Sequence, residues 1–447
     1  MFRYLRPASA FLFAASFFST GWSQATANLS QQGWYADPEI RIFAGEYWIY
    51  PTSSDPSTKA RDEQSFNPLQ QKLRAGHVVH PVYLLHTSLD AFSSTDLVHW
   101  TKHADVLDVK NVSWAAYAIW APTAIHLNGK YYLFFAANDI QKKDTFPGGI
   151  GVAVSDKPGG PFVDAIGKPL IAEFHNGAQP IDPFVYQDDD GSIYFYYGGQ
   201  GHCNVARLAP DLKSVIPMKD GEMYKEITPE HYVEGPFVIK RKGVYYFMWS
   251  EGDWGNSTYG VAYAKSTSPT GPFVRASKIL QSDAAIANGP GHHSVLQVPG
   301  TDEWYIVYHR HPLGTTGANQ RVMAIDRLYF DANGDIEAVK MTKDGPGSRS
   351  LPQAVQRSAR WISVGAAKPL RINNSGLDSH PGRGAPFVGV VSLQPAALCF
   401  RQGSDSLPPL ISFYEGDIHE AFCGQSPDSR RARSSACWHT SQGAGKR

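Results

Sequence analysis

Trp120-Ala121-Pro122-Thr123-Ala124-Ile125, followed by Gly129-Lys130-Tyr131-Tyr132-Leu133-Phe134-Phe135, sets a pattern that the chain repeats. An apolar run opened by a small or polar residue meets a Gly-containing turn, then a run rich in aromatic residues. β-Branched and aromatic runs bounded by turn residues read as paired strands. The grammar returns at Ala36-Asp37-Pro38-Glu39-Ile40 with Gly45-Glu46-Tyr47-Trp48-Ile49-Tyr50, and at Ile181-Asp182-Pro183-Phe184-Val185 with Gly191-Ser192-Ile193-Tyr194-Phe195-Tyr196. It returns again at Val233-Glu234-Gly235-Pro236-Phe237-Val238 with Gly243-Val244-Tyr245-Tyr246-Phe247-Met248, and at His293-Ser294-Val295-Leu296 with Trp304-Tyr305-Ile306-Val307-Tyr308. A third strand recurs at Gly151-Val152-Ala153-Val154 and Gly260-Val261-Ala262-Tyr263. A period of roughly sixty residues, enough for three or four short strands, is the signature of radial repetition. Five such units predict an all-β, five-bladed β-propeller, each blade completing its core against its neighbours.

Composition agrees with that class. Charged residues are 18% of the 447, aromatics 13%, with 41 Gly and 31 Pro. Few charges and many turn and aromatic residues exclude a coiled coil, a disordered chain or a helical bundle. Lys+Arg and Asp+Glu are both 41, so the basic surplus of a nucleic-acid binder is missing. Most aromatics are read as sheet core, with a few free to stack on sugar rings.

The ends differ from the middle. Arg3 and Arg6, the apolar run Ala8 to Phe18 and the small-x-small Ser23-Gln24-Ala25 make residues 1–25 a secretory signal, too short to span a bilayer. The mature protein is therefore expected outside the cell, with no membrane attachment. The propeller is expected over 33–342. Beyond it, residues 343–447 lose the repeat grammar and roughly half the aromatic frequency, and read as a largely irregular tail. Residues 51–89 lack strand alternation. They read as an irregular insert in the first blade, either a rim loop or sequence that a correct transcript would not encode. Cys203, Cys399, Cys423 and Cys437 have no metal-site spacing, and no disulfide is assigned.

Three repeats open on an acid: Asp37, Asp182 and Glu234. Carboxylates are poor strand openers unless they bond something. In a propeller the innermost strands line the axis, so their first residues converge at one end of it. Glycosidic hydrolysis needs such a set: one carboxylate to activate water, one carboxylic acid to protonate the leaving oxygen. A third raises the acid's pKa by like-charge repulsion.

Tyr35-Ala36-Asp37-Pro38, Ile181-Asp182-Pro183 and Val233-Glu234-Gly235-Pro236 resemble the three signature segments of glycoside hydrolase family 43. Trp120-Ala121-Pro122 and Gly289-Pro290-Gly291-His292-His293-Ser294 are similar to further family segments. The resemblance implies hydrolysis with inversion, with Asp37 as general base, Glu234 as general acid and Asp182 as pKa modulator. It implies substrates among arabinose- or xylose-containing polysaccharides of plant cell walls, and an α-L-arabinofuranosidase first; a β-xylosidase or endo-arabinanase is the alternative within the family. Trp34 and Trp120 are candidate sugar platforms, and His293 and Arg321 candidate sugar contacts. The resemblance requires no cofactor and allows a structural calcium ion on the axis near His292. A monomer is expected. From another class, a non-catalytic sugar-binding propeller would keep the aromatics but has no use for the spaced acids.

Overall fold

A computed structural model describes residues 29–355 except 56, 77–79 and 354. The expected signal over 1–25, the tail beyond 355 and three of the four cysteines lie outside these residues. Cys203 is buried and free.

The described chain forms five antiparallel sheets in sequence order. Blade 1 holds β1 (Tyr35–Phe43), β2 (Glu46–Ser53), β3 (Ser88–Ser94) and β4 (Trp100–Asp108). Blade 2 holds β5 (Trp120–Leu127), β6 (Lys130–Ala137), β7 (Gly149–Ser155) and β8 (Val163–Asp164). Blade 3 holds β9 (Phe184–Gln187), β10 (Ile193–Tyr197), β11 (Asn204–Leu208), β12 (Val215–Ile216) and β13 (Tyr224–Glu226). Blade 4 holds β14 (Glu234–Arg241), β15 (Val244–Glu251), β16 (Gly260–Ser266) and β17 (Val274–Leu280). Blade 5 holds β18 (Ala287–Gln297), β19 (Trp304–Pro312) and β20 (Val322–Leu328). The sequence expectation of a five-bladed propeller is met.

Local chemistry sets the hairpins. Ala44-Gly45, Asn128-Gly129 and Lys242-Gly243 each place two consecutive residues at positive φ between the first two strands of a blade. Two left-handed residues make the turn whose twist matches paired strands. Alternate side chains then point into the gaps between sheets. Tyr50, Phe135 and Leu133 fill the space between blades 1 and 2; Phe134, Phe195 and Tyr197 fill that between blades 2 and 3. Phe247, Trp249 and Tyr308 belong to the largest core, across blades 3 to 5.

Near the axis, polar ties stitch neighbours together. Glu39 accepts from Thr123 Oγ1 and from the Ala124 N–H, both at 2.6 Å, and pairs with Arg41. Arg41 in turn donates to Val185 O of blade 3 at 2.9 Å. Ser294 Oγ accepts from Ile40 N (2.9 Å) and donates to Pro38 O (2.8 Å), joining the last blade to the first.

Two expectations about the chain are corrected. The segment over 51–89 is not irregular. It contains the helix α1 (Pro68–Gly76), flanked by 3-10 turns at Glu63–Ser65 and Pro81–Leu85. Its short elements carry no repeat pattern, yet they are tied to the chain that leads into blade 2. Gln70 Nε2 is within hydrogen-bond reach of the carbonyls of Val109, Val112 and Ala115 at 2.7–3.2 Å. Arg74 is buried and donates to Leu84 O and Ala116 O. Phe66 and Leu73 are buried beneath the segment. The propeller also does not end at 342. Leu351 is buried in the core between blades 5 and 1. Arg349 donates its backbone N–H to Asp96 O (2.8 Å) and its Nε to Glu303 Oε2 (2.8 Å), one partner in each of those blades.

Candidate active site

One backbone device recurs in every blade, at or just before the start of the innermost strand in blades 1 to 4 and within it in blade 5. Asp37, Ala121, Asp182, Gly235 and His292 all have positive φ, at 49°, 42°, 53°, 65° and 39°. Four of them precede a proline, and four lie within register shifts of the first strand pair. For non-glycine residues this conformation costs of order 1–3 kcal/mol and persists only where the surroundings enforce it. These kinks define the true repeat positions, and they refine the reading of the triad. Asp37 and Asp182 are equivalent. Glu234 stands one residue earlier in its blade, with Gly235 at the kink, so it shares its position with Trp120 and Ile181.

A cavity of about 210 Å³ opens over the kinks, and Asp37, Asp182, Glu234, His292, Arg321 and Trp120 all line it. Six residues singled out in the sequence thus come together. Trp34 and His293 do not line it. Trp34 lies at the start of blade 1, where its carbonyl accepts from Ser54 N. His293 is 3% exposed, its ring 5.7 Å from that of Phe237. It is the residue after the kink, so its side chain takes the core side while His292 takes the cavity.

Asp37 is almost buried. Its Oδ1 lies 3.3 Å from Arg321 Nη1 and 3.4 Å from His292 Nδ1. Its backbone N–H donates to His309 Nδ1 at 3.2 Å, and the same ring nitrogen lies 3.3 Å from Asp37 Oδ1. Burial alone would raise the Asp37 pKa, but the cationic neighbourhood holds it well below the carboxylate range. His292 is the first of the lowering causes and Arg321 the second, although burial lowers the pKa of His292 itself. Arg321 is held in place over the Trp254 ring, 5.0 Å from its centroid.

Glu234 is pushed the other way. Burial raises its pKa to about 7, against a hydrogen bond from Tyr259 OH to Oε1 at 2.8 Å, with the Asp37 charge adding to the rise. Tyr259 reaches it because residue 291 is glycine: a Cβ there would stand 2.1 Å from the Tyr259 ring. Asp182 Oδ2 accepts from Gly235 N at 3.1 Å and lies 3.8 Å from His292 Nδ1. Its pKa is also raised, by burial first and then by Glu234 and Asp37. Two buried carboxyls this close do not both ionise readily, so the Asp182–Glu234 pair retains a proton toward neutral pH.

Asp182, Glu234 and His292 each bring one ligand atom within 4.8 Å of the others. As direct ligands they do not fit calcium, which takes six to eight oxygens. One donor here is nitrogen, and only two are carboxyls.

The sequence reading missed Tyr83, His86, Asp139, Gln179, Trp254 and Asn319, which complete the wall with Ile181. A topological signal would have found them. Every lining residue lies within a few residues of a kink or in a loop joining the second strand of a blade to its third. Such loops open on the same end of the axis as the kinks. The segment over 54–87 is that loop in blade 1, and it delivers Tyr83 and His86.

The sequence model described as glycosyl hydrolases family 43 matches residues 77–336. The chain belongs to this family. Family 43 enzymes are inverting glycosidases, and the chain is one of them. It is 42% identical over 333 residues to a β-D-galactofuranosidase of Aspergillus niger, covering 71% of this chain and 86% of that one. It is 30% identical to a xylosidase/arabinosidase of Humicola insolens, over 68% and 96% of the two chains. Among solved structures, an α-L-arabinofuranosidase from Clostridium thermocellum matches with a TM-score of 0.54 at 27% identity, covering 70% of this chain and 96% of that one.

Proposed function

We propose that the family 43 site removes terminal α-L-arabinofuranosyl residues from plant cell-wall polysaccharide. The observation that supports this most is the opposite displacement of two carboxyls at one cavity. Asp37 stays ionised and Glu234 holds a proton to about pH 7. That is the division of labour inversion needs. Asp37 takes a proton from water as the water oxygen attacks the anomeric carbon. Glu234 gives its proton to the departing glycosidic oxygen. Asp182, close to Glu234 and bonded to the next residue, favours the protonated acid. A cavity of about 210 Å³, walled by the blade 1 insert, suits one terminal sugar rather than a chain passing through.

Relatives named as xylosidase/arabinosidase and as arabinoxylan arabinofuranohydrolase favour arabinose. A second reading, β-D-galactofuranoside cleavage, is favoured by the Aspergillus niger relative. The two sugars share ring configuration and differ by one exocyclic hydroxymethyl group. The signal-like residues 1–25 support action outside the cell. The test is a panel of aryl α-L-arabinofuranoside, β-D-galactofuranoside and β-D-xylopyranoside, with linear arabinan. Preferred release of arabinose supports the main reading, and preference for either other glycoside overturns the sugar assignment.

A further inference from the structure

His86 is 3% exposed and lines the cavity, in a loop that the sequence pattern did not connect with the acids. One side of its ring is committed. Trp120 Nε1–H donates to His86 Nδ1 at 2.7 Å. An accepting Nδ1 places the ring proton on Nε2, and that buried atom has no partner among the described residues. A buried donor without an acceptor is uncommon and asks for an explanation. Asn319 Oδ1, an acceptor lining the same cavity, is also buried without a partner among the described residues.

The placement is rigid. Pro81–Leu85 forms a 3-10 turn, and the His86 N–H donates to Tyr83 O at 3.2 Å. Ile119 N donates to His86 O and Ala118 N to Tyr83 O, both at 3.1 Å, fixing this stretch to the chain entering blade 2. The Tyr83 ring meets Trp120 edge-on at 4.6 Å. Burial lowers the His86 pKa to about 4, with the Arg321 charge adding to the effect, so the ring stays a neutral donor at the working pH.

Resting on the furanosidase reading above, we propose that His86 is a specificity-determining sugar contact: its Nε2–H donates to a hydroxyl oxygen of the bound terminal sugar. Asn319 Oδ1 accepts from a sugar hydroxyl in the same way. Trp120 acts through His86, selecting the tautomer. The blade 1 insert is therefore part of the substrate-recognition machinery.

The test crosses residue and substrate. Wild type and His86→Ala are compared on 4-nitrophenyl α-L-arabinofuranoside and its 2-, 3- and 5-deoxy analogues. His86→Ala is expected to lose about 10- to 100-fold in kcat/KM on the parent. The analogue lacking the contacted hydroxyl should lose a similar factor with wild type and little further with the variant. His86→Gln, which keeps an N–H donor, should recover part of the loss; His86→Phe, which fills the space without a donor, should recover none. Equal losses on the parent and on every deoxy analogue would make His86 a packing residue and overturn the proposal. A wild type that ignores the arabinofuranoside but cleaves the galactofuranoside or xylopyranoside overturns the sugar assignment alone. The same comparison on that sugar's deoxy set then decides His86. A wild type that cleaves none of the three contradicts both.

Discussion

Asp182 Oδ2 accepts a hydrogen bond from the backbone N–H of Gly235 at 3.1 Å, so one acid grips the residue beside the acid whose proton it influences. Gly235 sits at the kink of blade 4, and the bond spans the gap between blades 3 and 4. The Asp182 side chain is thus a positioning device as well as one half of the proton-sharing pair.

Asp182→Asn removes the charge and keeps the shape. Asp182 and Glu234 share a proton in their buried pair, so removing one carboxyl removes the repulsion that keeps the other protonated, and the Glu234 pKa falls. Glu234 then loses its proton at lower pH, and the basic limb of the pH–rate profile moves down by about one unit, with a reduced rate. A reduced rate with an unmoved limb would mean that Asp182 itself carries the shared proton.

Arg321→Ala acts on the opposite limb. The Arg321 charge beside Asp37 favours its ionised form. Without that charge the Asp37 pKa rises, and activity is lost at higher pH on the acid side. Arg321→Lys, which keeps a charge, should move the limb less. A limb identical in wild type and Arg321→Ala would contradict a contribution of Arg321 to the depression.

The insert makes a stability prediction. Gln70→Ala leaves the carbonyls of Val109, Val112 and Ala115 without their shared partner. A loss of about 2–4 kcal/mol is expected from denaturant unfolding. A change within about 0.5 kcal/mol, the range of an ordinary surface substitution, would mean that the insert is not part of the cooperative unit.

Leu351→Ala tests the chain beyond 342. The side chain is 3% exposed between blades 5 and 1, and truncation there should cost about 2–5 kcal/mol. An unchanged unfolding midpoint would restore the shorter boundary.

What the sequence disclosed follows from periodicity. Strand pairs such as Phe43–Glu46 and Leu127–Lys130 flank turns with strong local chemistry, and Asp37 and Asp182 precede prolines that mark the kink. These are short-range signals, and they carried the blades and the acids. Tyr83 and His86 had no such signal. Their placement depends on Gln70 and Arg74 reaching carbonyls of a distant segment, a contact that no local pattern encodes. Which of the two adjacent histidines faces the cavity follows from the left-handed conformation of His292, and a His-His pair does not reveal that. Leu351 carries no such signal, because a single apolar residue after the last repeat has no period.

The roles proposed for Glu234 and Asp37 separate by leaving group. Glu234→Gln should lose most activity on arabinan but keep more on aryl glycosides whose leaving group needs no proton. Asp37→Asn should lose activity on both, since water activation is required in each. Rates read on the two substrate classes check this, and equal losses for both variants on both classes would count against the assignment.

The central claim is that Asp37 activates water while Glu234 protonates the leaving oxygen, in one displacement. Proton NMR of the first-formed sugar, recorded before mutarotation, tests it most directly. Cleavage of an α-L-arabinofuranoside is predicted to release the β anomer first. First release of the α anomer would mean retention through a covalent intermediate, and would contradict Asp37 as a base.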